Sequence, residues 1–188
     1  GSLNTVVGAV AGDAITTGTA NTLFGYNAGG AITTGDGNTA FGKDALELNT
    51  SGINTAVGGN ALAAVTTGTS NTAVGQDALT ANTASRNTAV GAYALDANTT
   101  GDNNTAVGEN AGTATTTGHN NTFIGQDAGE ANLTGDYNVA VGSDALDAAS
   151  SADYNVAVGA SALSAVTTGT NNVAVGTDAG ASATTADN

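Results

Sequence analysis

A short apolar run closed by glycine and led by asparagine returns from one end of the chain to the other, in the form Asn-Thr-Ala-Val-Gly or a near copy. It begins at Asn4, Asn21, Asn38, Asn54, Asn71, Asn87, Asn104, Asn121, Asn138, Asn155 and Asn172. The steps are 17 residues, apart from steps of 16 at Asn38 to Asn54 and Asn71 to Asn87. A period of this size sustained over the whole chain predicts a solenoid. We number the repeats as coils 1 to 11, and the positions of each coil from its asparagine. Positions 2 to 4 are mostly β-branched or small apolar residues and are closed by glycine at position 5, which predicts a strand and then a turn. Positions 7 to 12 read as a weaker second segment, followed by a Thr-Thr-Gly corner such as Thr66-Thr67-Gly68. Seventeen residues do not hold two strands and a helix. The prediction is all-β: a parallel β-helix or β-roll solenoid of eleven 16–17-residue coils over 4–188, with 1–3 set aside as a cloning remnant or linker.

Three positions never vary within the chain. Position 1 is Asn (Asn71 and Asn104, for example), position 5 is Gly (Gly75, Gly108) and position 8 is Ala (Ala78, Ala111). Stacked asparagines predict an amide ladder running from coil to coil. The glycine suits a corner of positive φ or close approach, and the alanine a place with room only for a methyl. Position 4 is Val, Phe or Ile throughout (Val74, Val107), while position 3 is Ala in eight coils. Neighbouring strand residues face opposite ways, so both strand faces are apolar. One lines the coil's own interior; the other needs a cover, for which a further copy of the chain is the natural candidate. Ala73 and Ala89 are placed on that second face.

Composition narrows the function classes. Two basic against sixteen acidic residues give a net charge of −14, which argues against nucleic acid and anionic membranes as partners. No apolar run reaches the roughly 18 residues of a membrane span. Cysteine and methionine are absent, so thiolate metal sites and disulfides are excluded, and a piece of a longer protein is expected.

Asn71 to Leu79 and Asn155 to Leu163 resemble the head repeats of trimeric autotransporter adhesins; similar arrays occur in phage tail fibres and tailspikes. That resemblance implies a left-handed parallel β-roll, three rolls packed side by side, and an extracellular place on a bacterial surface or a virion. The family's repeats are typically shorter, so a longer outer loop is expected here.

Candidate chemistry is sparse. Asp127 and Asp144 occupy position 7 of adjacent coils, and Asp136 and Asp153 position 16; such columns of oxygens could hold Ca²⁺, but turn chemistry explains them as well and no metal is expected. Tyr137 and Tyr154 stand at position 17 of adjacent coils, where a sugar ring could stack on them. His119 is the only histidine, and no nucleophile is ordered around it; an enzyme is not expected, nor is a cofactor. The sequence therefore predicts a homotrimeric fibre or adhesin segment that attaches to a host-surface glycan or protein by multivalent display. The alternatives are a structural spacer and an ice-binding threonine array.

Overall fold

The computed structural model describes residues 1–185 and 187; of the stretch assigned to the repeat, Ala186 and Asn188 lie outside the described residues. Eleven three-residue strands, from β1 (Thr5–Val7) to β11 (Val173–Val175), form a single sheet in sequence order. Every pairing is parallel and in register, so that Thr72 of one coil meets Thr88 of the next and Ala73 meets Ala89. The chain is a parallel β-solenoid, and no helix occurs among the described residues.

Each coil has one strand only. The second segment expected over positions 7 to 12 is a run of turns, because its residues alternate into the left-handed region. Position 7 carries φ of 55° at Asp77 and 54° at Asn110, and position 9 carries 53° at Leu79 and 51° at Leu95. Asp and Asn tolerate that conformation through local backbone bonding. Leucine does not favour it, at about 1–2 kcal/mol per residue. Burial outweighs this: Leu46, Leu62, Leu79 and Leu95 are fully buried, worth about 1.5–3 kcal/mol each. The ladder between coils nevertheless continues through the turns, with Asp77 N–H donating to Gly59 O (2.9 Å) and Leu79 N–H to Ala94 O (3.0 Å).

Position 5 explains its glycine. Gly75 and Gly108 sit at φ 146° and 141°, and a Cβ on either would lie 2.3 Å from the carbonyl oxygen of the glycine one coil on. Side chains are excluded by both the backbone angle and the packing.

The core is a narrow column of small residues. Position 3 (Ala73, Ala89), position 8 (Ala78, Ala111), position 9 and position 12 all point inward. Where position 3 is large, position 9 is glycine: a Cβ on Gly129 would meet Phe123 Cδ1 at 2.4 Å, and one on Gly112 would meet Phe123 Cδ2 at 2.6 Å. Leu23 is matched in the same way by Gly12 and Gly29. One bulky side chain thus fills the space that two leucines fill elsewhere.

The asparagines run as a buried ladder beside this column. Asn104 Oδ1 accepts from Asn121 N–H (2.9 Å), and Asn104 Nδ2 donates to Gly118 O (2.7 Å) across the corner of its own coil. Asn71 repeats the arrangement, accepting from Asn87 N–H (3.0 Å) and donating to Ala84 O (2.8 Å). Each amide therefore ties one coil to the next and pins its own corner shut, which satisfies backbone groups buried away from water.

Candidate functional site

The strand decides which face is available. Ala73 and Ala89 are fully buried, so the sequence-based placement of these alanines on the face between copies is corrected. They line the coil's interior, because positions 8, 9 and 12 close around position 3. Position 4 consequently points outward, as alternation along a strand requires. Val74 and Val107 are each 37% exposed, and Phe24 and Phe41 are 48% and 45% exposed. The two phenylalanine rings stack at 4.9 Å with 7° between their planes. With position 2, which is Thr in coils 1 to 8 and Val in coils 9 to 11, they form one continuous face of the sheet.

That face carries no charge. All sixteen acidic residues stand at positions 6, 7, 10 or 16, and none at position 2 or 4. A face of valine, phenylalanine, isoleucine and threonine, bordered on both sides by carboxylates, is built like an interface core with a polar rim.

The acidic columns are engaged by the chain. Asn110 Nδ2 donates to Asp127 Oδ1 (2.9 Å), as Asn60 does to Asp77 (2.8 Å) and Asn27 to Asp44 (3.0 Å). Alternating Asn with Asp up the column replaces repulsion by a hydrogen bond. Asp144 Oδ2 accepts from Ser143 Oγ (2.8 Å). In column 16, Asp136 Oδ1 accepts from His119 N–H (2.6 Å) and Asp153 Oδ1 from Asp136 N–H (2.8 Å). These carboxylates act as acceptors for the backbone of the preceding coil. Among the described residues no group of three or more His, Cys, Asp or Glu is placed to hold a metal ion.

Two shifts in acidity have local causes. The Lys43 ammonium, 2.7 Å from Asp44, holds that carboxyl below its usual range, with Asn27 assisting, and Asp44 in turn raises Lys43. Burial pushes the Asp147 carboxyl up, and the neighbouring charges of Asp144 and Asp127 add to it.

Tyr137 and Tyr154 stack on each other at 5.0 Å with 3° between planes. Each ring turns one face to the other, and the two side chains stay 49% and 54% exposed. The threonine corner is likewise occupied: Thr83 Oγ1 donates to Thr99 O (2.8 Å), Thr99 Oγ1 to Thr116 O (3.0 Å) and Thr116 Oγ1 to Leu133 O (2.9 Å).

One feature of the surface has its sequence signal in the two 16-residue steps. The missing residue falls in the Thr-Thr-Gly corner, since Ser51 and Ala84 take the place that Gly35 and Gly101 hold as acceptors of the asparagine amide. At coil 3 this leaves a surface notch of about 330 Å³ between coils 2 and 4. Against family models, curated proteins and solved structures, the chain matches none, and the reading of its surface rests on the geometry above.

Proposed function

We propose that the chain is a rigid segment of an attachment fibre, in which three copies pack side by side through the uncharged outer strand face. The observation that carries this reading is the unbroken apolar column at position 4, from Val7 through Val74 and Val107 to Val175, without one charged neighbour at position 2. A valine left a little over a third exposed gains roughly 0.5–1 kcal/mol on being covered. Over eleven coils such gains reach the size of the association penalty, estimated at about 4–15 kcal/mol. Closed cyclic symmetry would cover every copy of the column and leave no patch for further aggregation. The likeness of Asn71 to Leu79 and Asn155 to Leu163 to adhesin head repeats supports three copies and an extracellular place, on a cell surface or a virion. Attachment then works by display, since repetition along and around the fibre multiplies weak contacts.

Sedimentation equilibrium tests this directly. A mass three times 17.7 kDa is expected, falling to the single-chain mass in the Val74→Asp/Val107→Asp variant, because carboxylates buried around a shared axis have no partners. A folded monomer of the unchanged chain would refute the proposal.

A further inference from the structure

We propose that the notch at coil 3 is a binding site for one neutral sugar ring. The inference deepens the attachment reading and takes its biological purpose from it, but the site itself lies within a single chain.

Column 16 shows what the notch lacks. There the backbone N–H of most coils donates to a side-chain oxygen or nitrogen of the next: Thr19 to Asp36 Oδ1 (2.6 Å), Thr69 to Ser85 Oγ (3.1 Å), Ser85 to Asp102 Oδ1 (2.8 Å) and Asp102 to His119 Nδ1 (2.9 Å); beyond the notch, the N–H of Asp153 also has no acceptor among the described residues. Both short coils place their fifteenth residue in this column. In coil 5 it is Ser85, whose hydroxyl accepts; in coil 3 it is Gly52, which has no side chain. The rung is missing. No acceptor among the described residues pairs with the backbone N–H of Asp36 or of Gly52, and both residues line the notch.

Beside them stands Ile53, 68% exposed at φ 60°, its N–H donating to Asp36 O (2.9 Å). The left-handed backbone belongs to the whole column, which also holds Ser70, Arg86, Tyr137 and Tyr154 at φ 62°, 60°, 58° and 58°; what coil 3 brings to it is a branched aliphatic side chain, which no other coil has there. Thr34, Thr50 and Thr69 complete the lining.

An exposed apolar wall, unpaired N–H donors, hydroxyls and a carboxylate suit a sugar ring. Its C–H face lies on Ile53, a ring hydroxyl oxygen supplies the missing acceptor to Asp36 N–H, and another hydroxyl donates to the carboxylate oxygen of Asp36 that Thr19 leaves free. The volume of about 330 Å³ is at the small end of ligand pockets, which run from roughly 300 Å³ upward. The ligand is neutral: the notch has a carboxylate and no cation, and the only basic side chains, Lys43 and Arg86, are paired to Asp44 and Asp102.

The test is a titration of the ¹⁵N-labelled chain with glucose, galactose, mannose and N-acetylglucosamine, following the amides of Asp36 and Gly52. Saturable shifts of both with at least one sugar are expected. Ile53→Asn, which suits the left-handed backbone, should melt no lower than the unchanged chain and weaken that sugar roughly tenfold or more. Gly52→Ser supplies the missing hydroxyl and should block the site. Its Cβ would lie 2.5 Å from Asp36 O, so Ile53→Asn carries the decision if that variant misfolds. No shift with any of the four sugars, shifts that persist unchanged in Ile53→Asn, or a stronger response to acetate would overturn the proposal. Sedimentation of the same samples separates this outcome from the attachment reading, because a monomer that still binds sugar refutes only the latter.

Discussion

The pairing of Phe123 with Gly112 and Gly129 offers a demanding test of how the core is built. Phe123 is fully buried, and its ring occupies the space where a side chain on either glycine would begin. Replacing it by alanine removes most of a buried aromatic side chain, a change that costs about 3–5 kcal/mol. The upper half of that range is expected here, because both neighbours are glycines with nothing to move into the gap. Against a typical total of about 5–15 kcal/mol the loss is severe. Coils 3 to 6 indicate the remedy, since there Ala40, Ala56, Ala73 and Ala89 coexist with Leu46, Leu62, Leu79 and Leu95. Adding Gly112→Leu and Gly129→Leu to Phe123→Ala reproduces that arrangement at φ 62° and 64°, against 51–55° at the native leucines. Each leucine gains about 1.5–3 kcal/mol by burial and loses about 1–2 kcal/mol to its backbone. The restriction of the unfolded chain on replacing glycine adds roughly 0.4–1 kcal/mol, so the pair should return on the order of 2 kcal/mol. The same two leucines placed against the intact Phe123 should destabilise, because their Cβ atoms would begin within the ring's contact distance. Urea unfolding followed by far-ultraviolet circular dichroism, at one fixed protein concentration, reads the three variants against the unchanged chain. If the leucine pair has the same sign with and without Phe123, the complementarity described here is wrong.

Other outcomes follow from single groups. Asn104→Ala leaves Asn121 N–H and Gly118 O buried without their partner, and at about 1–3 kcal/mol for each such group it should lower the unfolding midpoint more than any surface change. Thr115→Val should raise the melting temperature slightly, since Thr115 Oγ1 is buried and has no partner within the chain; a clear drop would mean that the hydroxyl is satisfied. Burial raises the pKa of Asp147 in the folded state, so the folded chain keeps that proton at pH values where the unfolded chain has released it. Stability then falls as pH rises from the usual carboxylate range through the raised value, and Asp147→Asn should stabilise at neutral pH but not in acid. Equal gains at both pH values in thermal melts would contradict this. Melting in calcium and in chelator should differ little, because Asp127, Asp136, Asp144 and Asp153 already accept hydrogen bonds from the chain. No thermal hysteresis is expected, as the corner hydroxyls donate to carbonyls of the next coil.

Repetition made much of this protein legible before any coordinates. An invariant Asn, Gly and Ala at a fixed period imply a parallel stack in which like meets like, so the coil length, the parallel stacking and the asparagine ladder could be read from residues such as Asn71, Gly75 and Ala78. Those features depend only on the same residue recurring above itself. The candidate face was half legible: alternation along the strand established that Ala73 and Val74 look opposite ways, but not which of them looks inward. Only the wrapped chain decides that, because the interior is defined by how positions 8, 9 and 12 turn back over the strand. The left-handed turns at positions 7 and 9 were hidden for the same reason, since leucine adopts them only where burial repays the backbone. The notch at Gly52 was visible as a one-residue shortening, yet its open N–H groups arise from the neighbours above and below. A single coil fixes its own corners; what those corners leave exposed is settled by the coils stacked against it.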